Sequence, residues 1–497
     1  MASEQTSAED SSTRPSTQPV SQHPETENEH GAEEPPPFSI FTNTEKRWIS
    51  SVASFGAMFS TLSSYVYMPA LVPIATDLGV SVALVNLTVT SYLVVAGIAP
   101  AFMGDIADQG GRRPAYILMF SLVVASNIGL ALQKSYAALF VLRMVQSAGS
   151  YGAAYGVLSD FTTVAERGSY VGSLILFTNA APSFGPVIAG VLAEKLSWRW
   201  IFWFLVILTG TYLVVVILFL PETQRKIVGN GSTPAPGIHR SLFDFVTRDR
   251  MNHEKSSQLP KEDTRRKRHI PNPFKCIPLL FSKGNFTVIM VGSITYTVKM
   301  TLQTSLAAQC IEICDLDYLQ AGLIYLPSGL GGALASYTTG KFLDMNIKKL
   351  SAKHGTYRRG EDTSDFPIEQ ARFKAIYTLI AVSAAGTAAY GHVAVPLVMQ
   401  FLTGATTSAI FTLCGTLLTD LNPDVSATVQ ASYNLVRCVG AGIGIAVQQP
   451  LTDAVGLGWC FGVFGLIMTL AIPLAMLLKR RGLDWRQSGT SKQPLAV

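Results

Sequence analysis

Twelve stretches of mostly apolar residues, each about 20 long, run through this chain, six before and six after a polar segment of about 60 residues. A helix rises 1.5 Å per residue, so about 20 apolar residues cross the hydrocarbon core of a bilayer. No water is present there to satisfy free backbone groups, so a chain with this pattern is confined to membrane-crossing helices. The stretches lie near 48–71, 85–104, 115–134, 136–158, 169–192 and 200–220, then near 286–310, 319–341, 373–391, 394–418, 427–449 and 459–478. We number them spans 1 to 12. The expected fold class is an all-α membrane protein: twelve transmembrane helices in two pseudo-symmetric six-helix bundles.

Composition agrees. Charged residues make up 14% of the 497 and hydrophobic ones 48%, where a soluble chain carries about 25% charged residues. The net charge of +5 points to no nucleic-acid partner by itself, so the distribution of charge matters more. Arg112, Arg113, Arg167, Arg265 to Arg268, Lys341, Lys348, Lys349, Arg358, Arg359 and Lys479 to Arg481 fall on one set of loops. The opposite loops hold only Lys134, Lys195 and Arg199, beside Asp77, Glu312, Asp315, Asp317 and Asp453. Basic loops stay in the cytoplasm, which places both termini there.

The expected organisation is a disordered cytoplasmic tail over 1–45, a six-helix bundle over 46–222, a basic cytoplasmic linker over 223–284, a second bundle over 285–482 and a short cytoplasmic tail over 483–497. Residues 1–44 hold no apolar signal core, and their Ser, Thr, Glu and Pro content cannot bury a core. The linker is attracted to anionic lipid headgroups. Its sequon at Asn230, and another at Asn285, face the cytoplasm and are expected to be silent. The six cysteines lack paired CxxC spacing and a His cluster, and they read as small apolar residues with no metal site.

Between spans 2 and 3 the chain reads Gly104-Asp105-Ile106-Ala107-Asp108-Gln109-Gly110-Gly111-Arg112-Arg113-Pro114. A weaker echo, Gly340-Lys341-Phe342-Leu343-Asp344, follows span 8, 236 residues later. Gly104 permits close helix approach, and Asp108 can pair with Arg112 across a tight turn. This turn resembles the pattern Gly-x-Leu-Ala-Asp-Arg-x-Gly-Arg-Arg of the major facilitator superfamily, with Ile106 for Leu and Gln109 for Arg. The resemblance implies a gating role for Gly104, Asp105, Asp108, Gly111, Arg112 and Arg113, and for Gly340 and Asp344 in the second half.

The resemblance extends from about 45 to 482. Arg143-Met144-Val145-Gln146-Ser147-Ala148-Gly149 in span 4 is similar to the family's Arg-x-x-Gln-Gly-x-Gly. Gly185-Pro186-Val187-Ile188-Ala189-Gly190 in span 5 is similar to the motif marking antiporter branches, and it suits close packing equally well. Tyr67-Met68-Pro69-Ala70, Leu220-Pro221-Glu222-Thr223, Tyr325 to Gly329 and Asn434 to Cys438 resemble the twelve-span fungal drug:H+ antiporters of the quinidine-resistance type. That resemblance implies a non-enzymatic secondary transporter without a cofactor. It would export a drug, organic acid or secondary metabolite by alternating access from a central cavity, with protons as the exchanged ion. The fungal plasma membrane is the expected location and the vacuolar membrane the alternative; a monomer is expected. A facilitated exporter without proton exchange, and a sensor that moves nothing, remain open.

Arg143, Lys299 and Arg437 fall well inside spans, where ionisable groups mark function, and no carboxylate lies at comparable depth. Such a cavity would favour an anionic or neutral metabolite over a polyamine. Tyr155, Tyr296 and Gln303 are expected to line the substrate site with these cations. Proton carriage has several candidates (Asp105, Asp108, Asp160, Glu312) at helix ends, and Lys299 at mid-span.

Overall fold

The computed structural model describes residues 39–149, 154–162, 167–231, 233, 235–242, 277–354, 367–389, 396–422 and 425–490. Helices occupy every expected span. Span 1 is Asn43–Tyr65, continued through a 3-10 turn at Met68–Ala70 into Leu71–Leu78. Spans 2 and 3 are Val82–Gly110 and Arg112–Leu132; span 4 comprises Tyr136–Gly149 and Ala154–Phe161; spans 5 and 6 are Arg167–Lys195 and Trp198–Phe219. Span 7 is Lys283–Cys314, and span 8 comprises Tyr318–Leu323 and Leu326–His354. A short helix, Ile368–Arg372, precedes span 9, Ile376–Ala388. Spans 10 and 11 are Pro396–Leu421 and Ser426–Val455, and span 12 comprises Leu457–Thr469 and Ala471–Thr490.

Local chemistry sets several boundaries. Thr42 and Glu45 form a reciprocal capping box at the start of span 1, which satisfies two of its free N–H groups. Gly79, at φ +63°, closes its last turn in the left-handed conformation, a common helix stop. Ser81 then caps span 2 by accepting from Leu84 N at 3.3 Å. One residue, Gly111, joins spans 2 and 3 at φ +101°.

Six described helical stretches are by themselves long and apolar enough to cross a membrane: Asn43–Leu78, Val82–Gly110, Arg112–Leu132, Trp198–Phe219, Leu397–Leu421 and Leu457–Gln487. The others turn polar faces inward. In span 7, Thr295, Thr301, Gln303, Thr304 and Ser305 are all buried, so its mean hydropathy falls while its outer surface stays apolar. Large apolar side chains cover the outside instead, among them Leu132, Ile207, Leu330, Trp459 and Leu466. Lipid replaces water as the partner of that surface.

Residues Phe38–Val497 make one unit. Its main apolar core joins spans 1 to 6 with inward residues of spans 7, 8, 11 and 12, including Met300, Tyr325 and Ile445. A second core lies within the last six spans around Ile376, Leu417 and Phe464. In the first, Phe59, Phe120 and Tyr212 interlock with ring centroids 4.6–5.7 Å apart, and Tyr212 Oη donates to Val52 O at 2.8 Å. The expected N-terminal tail lies almost wholly outside the described residues, as does most of the linker. The part of the linker that is described holds the short helix Arg225–Val228 and a 3-10 turn at Gly237–His239.

Candidate transport site and gates

At one end of the first six spans the charged turn builds a network. Arg112 donates through Nε to Asp160 Oδ2 at 2.9 Å and through Nη1 to Asp108. Asp160 also accepts from Thr223 Oγ1 at 3.2 Å. Glu222, from the Pro-Glu-Thr segment after span 6, accepts from the backbone N of Arg112 at 2.8 Å and of Thr223 and Gln224 at 3.0 Å. Its carboxylate thus sits at the N-terminus of span 3, where the helix dipole favours negative charge. His239 Nδ1 lies 2.9 Å from Glu222 Oε2, and Arg113 donates to Ile238 O and, at 2.6 Å, to Ile217 O. The linker is therefore strapped onto the turn. Gly111 is needed for more than its φ, because a Cβ there would lie 2.5 Å from Glu222 Oε2.

Asp108, Gly111, Arg112 and Arg113 are brought together here, and Gly104 lies on the same helix as Asp108. The side chains of Asp105 and Asp344 lie outside the described residues. Gly340 faces open space, with nothing within 4 Å of a Cβ, so no close helix contact forms there. The second half instead pairs Arg372 with Asp420, at 2.9 Å from Nε and 2.7 Å from Nη2, both side chains buried. Glu369 pairs with Arg486 at 3.3 Å and packs against Gly482. Burial pushes the Glu369 carboxyl above the usual carboxylate range, with Arg486 pulling it partly back. Sequence reasoning missed this cluster. The signal was present: Arg112–Asp160 and Arg372–Asp420 are each 48 residues apart.

The two sets of spans meet along a seam. Tyr318 N donates to Glu194 Oε2 at 3.2 Å, and Asn179 Nδ2 to Ser336 Oγ at 3.5 Å. Gly190 and Gly322 lie against the backbones of Tyr318 and Pro186 so tightly that a Cβ at either would collide. Pro186 belongs to the same span 5 surface, whereas Gly185 faces span 1, where Leu62 and Val66 are nearest to the position of a Cβ. Spans 2 and 11 touch where Thr90 Oγ1 donates to Gly442 O at 3.1 Å and Asn434 Nδ2 to Ala96 O at 3.0 Å. These contacts run from the end holding the Arg199–Asp77 ion pair, 2.9 Å, to mid-depth. The charged turn lies at the other end.

The three mid-span cations occupy different settings. Arg143 is fully buried, its guanidinium between the rings of Tyr67 and Tyr92 at 4.1 and 4.3 Å. It donates to Ser63 O at 3.2 Å and to Gln146 Oε1, whose amide donates to Asn127 Oδ1 at 2.7 Å. Its Nε and Nη2 have no partner among the described residues. Arg437 is half-buried; it donates twice to Asn434 Oδ1, at 3.1 and 2.7 Å, and lies over Tyr296 and Phe411 at 4.7 and 4.9 Å. Lys299 is half-buried in the middle of span 7, with no ion pair, hydrogen bond or ring contact among the described residues.

Gln303, one turn further along span 7, donates to Ser328 Oγ at 2.9 Å and Gln400 Oε1 at 3.0 Å, while Tyr325 Oη donates to Gln303 O at 2.6 Å. Gln303 Oε1 and Gln400 Nε2 have no partner among the described residues. Tyr296, Lys299 and Gln303 share one helix face at spacings of three and four residues. Tyr65 Oη reaches Met300 Sδ at 3.5 Å from span 1. Gln400 is a further polar group at this site that the sequence pattern did not single out, and Asn434 was named there only as part of a motif. The side chain of Tyr155 lies outside the described residues.

Comparisons with known proteins agree with this architecture. The family model described as Major Facilitator Superfamily matches residues 53–355. The MFS-type transporter phiD of Fungal sp. is 37% identical over 473 residues, covering 92% of this chain and 72% of that protein. The MFS-type transporter tstD of Talaromyces stipitatus is 35% identical over 496 residues, covering 95% and 89%. Citrate exporter 1 of Aspergillus niger is 35% identical over 473 residues, covering 92% and 89%. The crystal structure of the human organic anion transporter MFSD10 (TETRAN) superposes with a TM-score of 0.53 at 15% identity, over 86% of this chain and 99% of that one; at that identity it speaks for the fold. An all-helical, non-enzymatic, multi-pass membrane protein that carries small molecules, this chain belongs to the Major Facilitator Superfamily.

Proposed function

We propose that this transporter exports a small organic anion, a carboxylate-bearing metabolite, from the cytoplasm across a fungal plasma membrane by alternating access. The observation that carries the reading is the charge of the central site. Arg437 and Lys299 are half-buried beside Tyr296 and Gln303, and no carboxylate pairs with either among the described residues. In a cavity of low dielectric an uncompensated cation attracts anions strongly and repels cations. The similarity to a protein named citrate exporter supports export of an organic acid, and the similarity to the MFS-type transporters phiD and tstD supports transport more broadly.

The basic loops support a cytoplasmic position for the charged turn and both termini. The seam then closes the outer half, which supports an inward-facing state with Arg437 and Lys299 reached from the cytoplasm. Arg143, enclosed between two tyrosine rings, fits a role in holding spans 1, 2 and 4 together around the site more closely than direct contact with cargo. Proton exchange is implied by the resemblance to drug:H+ antiporters, but no described mid-span carboxylate is present to run it.

The test is transport in inside-out membrane vesicles containing the protein. Labelled citrate is expected to accumulate saturably and to be lost in Arg437→Ala, while a quaternary cationic dye is excluded. Saturable dye uptake without any carboxylate uptake would overturn the anionic reading. Metabolite profiling of culture medium with and without the protein tests export directly; an unchanged profile counts against it.

A further inference from the structure

The central cations also decide the sign with which protons and cargo interact. Lys299 stands midway along span 7, and among the three mid-span cations it alone can lose a proton, since a guanidinium keeps its charge. The titratable or charged groups near its depth, on span 7 and on the elements packed around it, are Tyr296 of span 7, Arg437, Tyr433 and Cys438 of span 11, Cys414 of span 10, Cys460 of span 12, Tyr325 of span 8 and Tyr65 of span 1. All are cationic or neutral at physiological pH. The remaining ones sit at helix ends: Asp77, Tyr318, Tyr377, Asp420 and Asp453, with Lys479, Arg480, Arg481, Asp484 and Arg486 on the last helix. Asp77 and Asp420 are held by Arg199 and Arg372.

A proton on the Nζ lone pair of Lys299 turns a neutral amine into an ammonium. That charge attracts a bound anion, and by linkage the anion holds the proton by the same factor. Exchange requires the opposite sign, a proton that expels the cargo; a carboxylate that binds either a proton or a cationic cargo supplies it, and none lies at mid-span among the described residues. We infer that the proton and the anion occupy this site together: Lys299 is the residue that couples them, and its proton travels with the cargo instead of being exchanged for it. The proton enters from water at the open end and returns to water when the anion leaves at the other. This rests on the anionic cargo proposed above.

The experiment uses the full chain in lipid nanodiscs, with citrate as the probe, in weakly buffered solution between about pH 7.5 and 9.5, where carboxylic acids are fully ionised. Citrate binding is expected to take up protons, rising towards one per citrate as pH rises, while affinity falls by up to about tenfold per pH unit. Lys299→Arg, whose charge is permanent, is expected to show a flat affinity profile and no proton uptake. Proton release on binding, no uptake at any pH, or uptake that persists in Lys299→Arg would each overturn the coupling while leaving the anionic cargo intact. If neither citrate, malate nor benzoate binds, the anionic reading itself falls and this inference with it.

Discussion

Arg372 donates twice to Asp420 across 48 residues of sequence, at 2.9 and 2.7 Å, and the pair stands 260 residues beyond its counterpart, Arg112 and Asp160. The two halves therefore carry matching ion pairs, each with its acidic partner in the last turn of a helix, although Arg112 starts span 3 and Arg372 ends the short helix before span 9. Breaking a buried pair by removing one partner costs about 3–5 kcal/mol because it strands the other charge. Arg372→Ala and Asp420→Asn are each expected to lower the melting temperature of the detergent-purified protein and to cut transport at least tenfold. The exchange Arg372→Asp with Asp420→Arg should recover part of both. Full activity of either single variant would show that the pair holds nothing.

Gly111 should tolerate no side chain. Its φ of +101° and the nearby Glu222 carboxylate make Gly111→Ala cost about 1–3 kcal/mol of strain. The expected result is reduced yield of folded protein by size-exclusion chromatography, with the loss greater for Gly111→Val. Gly110→Ala, where nothing lies within 4 Å of a Cβ, is the control and should cost little.

The seam predicts a conformational trap. Gly190→Val or Gly322→Val puts atoms where the opposing backbone runs, so spans 5 and 8 cannot close at the Glu194 end. Transport should fall more than about tenfold, since closed cores forgive no added methylene groups. A cysteine placed at Asn179 should become more reactive to an impermeant thiol reagent added outside. Unchanged labelling together with normal transport would argue against closure along this line.

Arg437 is expected to govern affinity. Arg437→Lys keeps the charge but cannot make both bonds to Asn434, so its KM for the anion should rise about three- to tenfold. Arg437→Ala should raise it by about a hundredfold or abolish saturation, in keeping with the loss of a charge-assisted contact worth about 1.5–3 kcal/mol. An equal fall in kcat for both with KM unmoved would assign Arg437 to structure.

Most of the span positions were legible because lipid imposes one demand on every crossing helix, a long apolar run. The first charged turn was legible because its glycines and arginines are contiguous. The second cluster was not, because residues 345–371 separate the echo at Gly340–Asp344 from Arg372. Its acidic partners, Glu369 and Asp420, come from different helices that only packing brings together. Arg143 illustrates the converse. Its depth was readable from the sequence, but the tyrosine rings that enclose it come from spans 1 and 2, and nothing in local spacing announces them.

The single-residue joint at Gly111 bears on how chains of this design can change length. One residue added there would turn span 3 by about 100° about its axis, carrying Arg112 away from Asp160 and Arg113 away from Ile238 at one stroke. Insertions and deletions at that joint are thus barred by helical phase alone. The equivalent stretch of the second half holds 24 more residues between its glycine and its arginine, and length there is not locked to phase. New sequence, whether acquired by descent or added as an epitope, belongs in that later stretch.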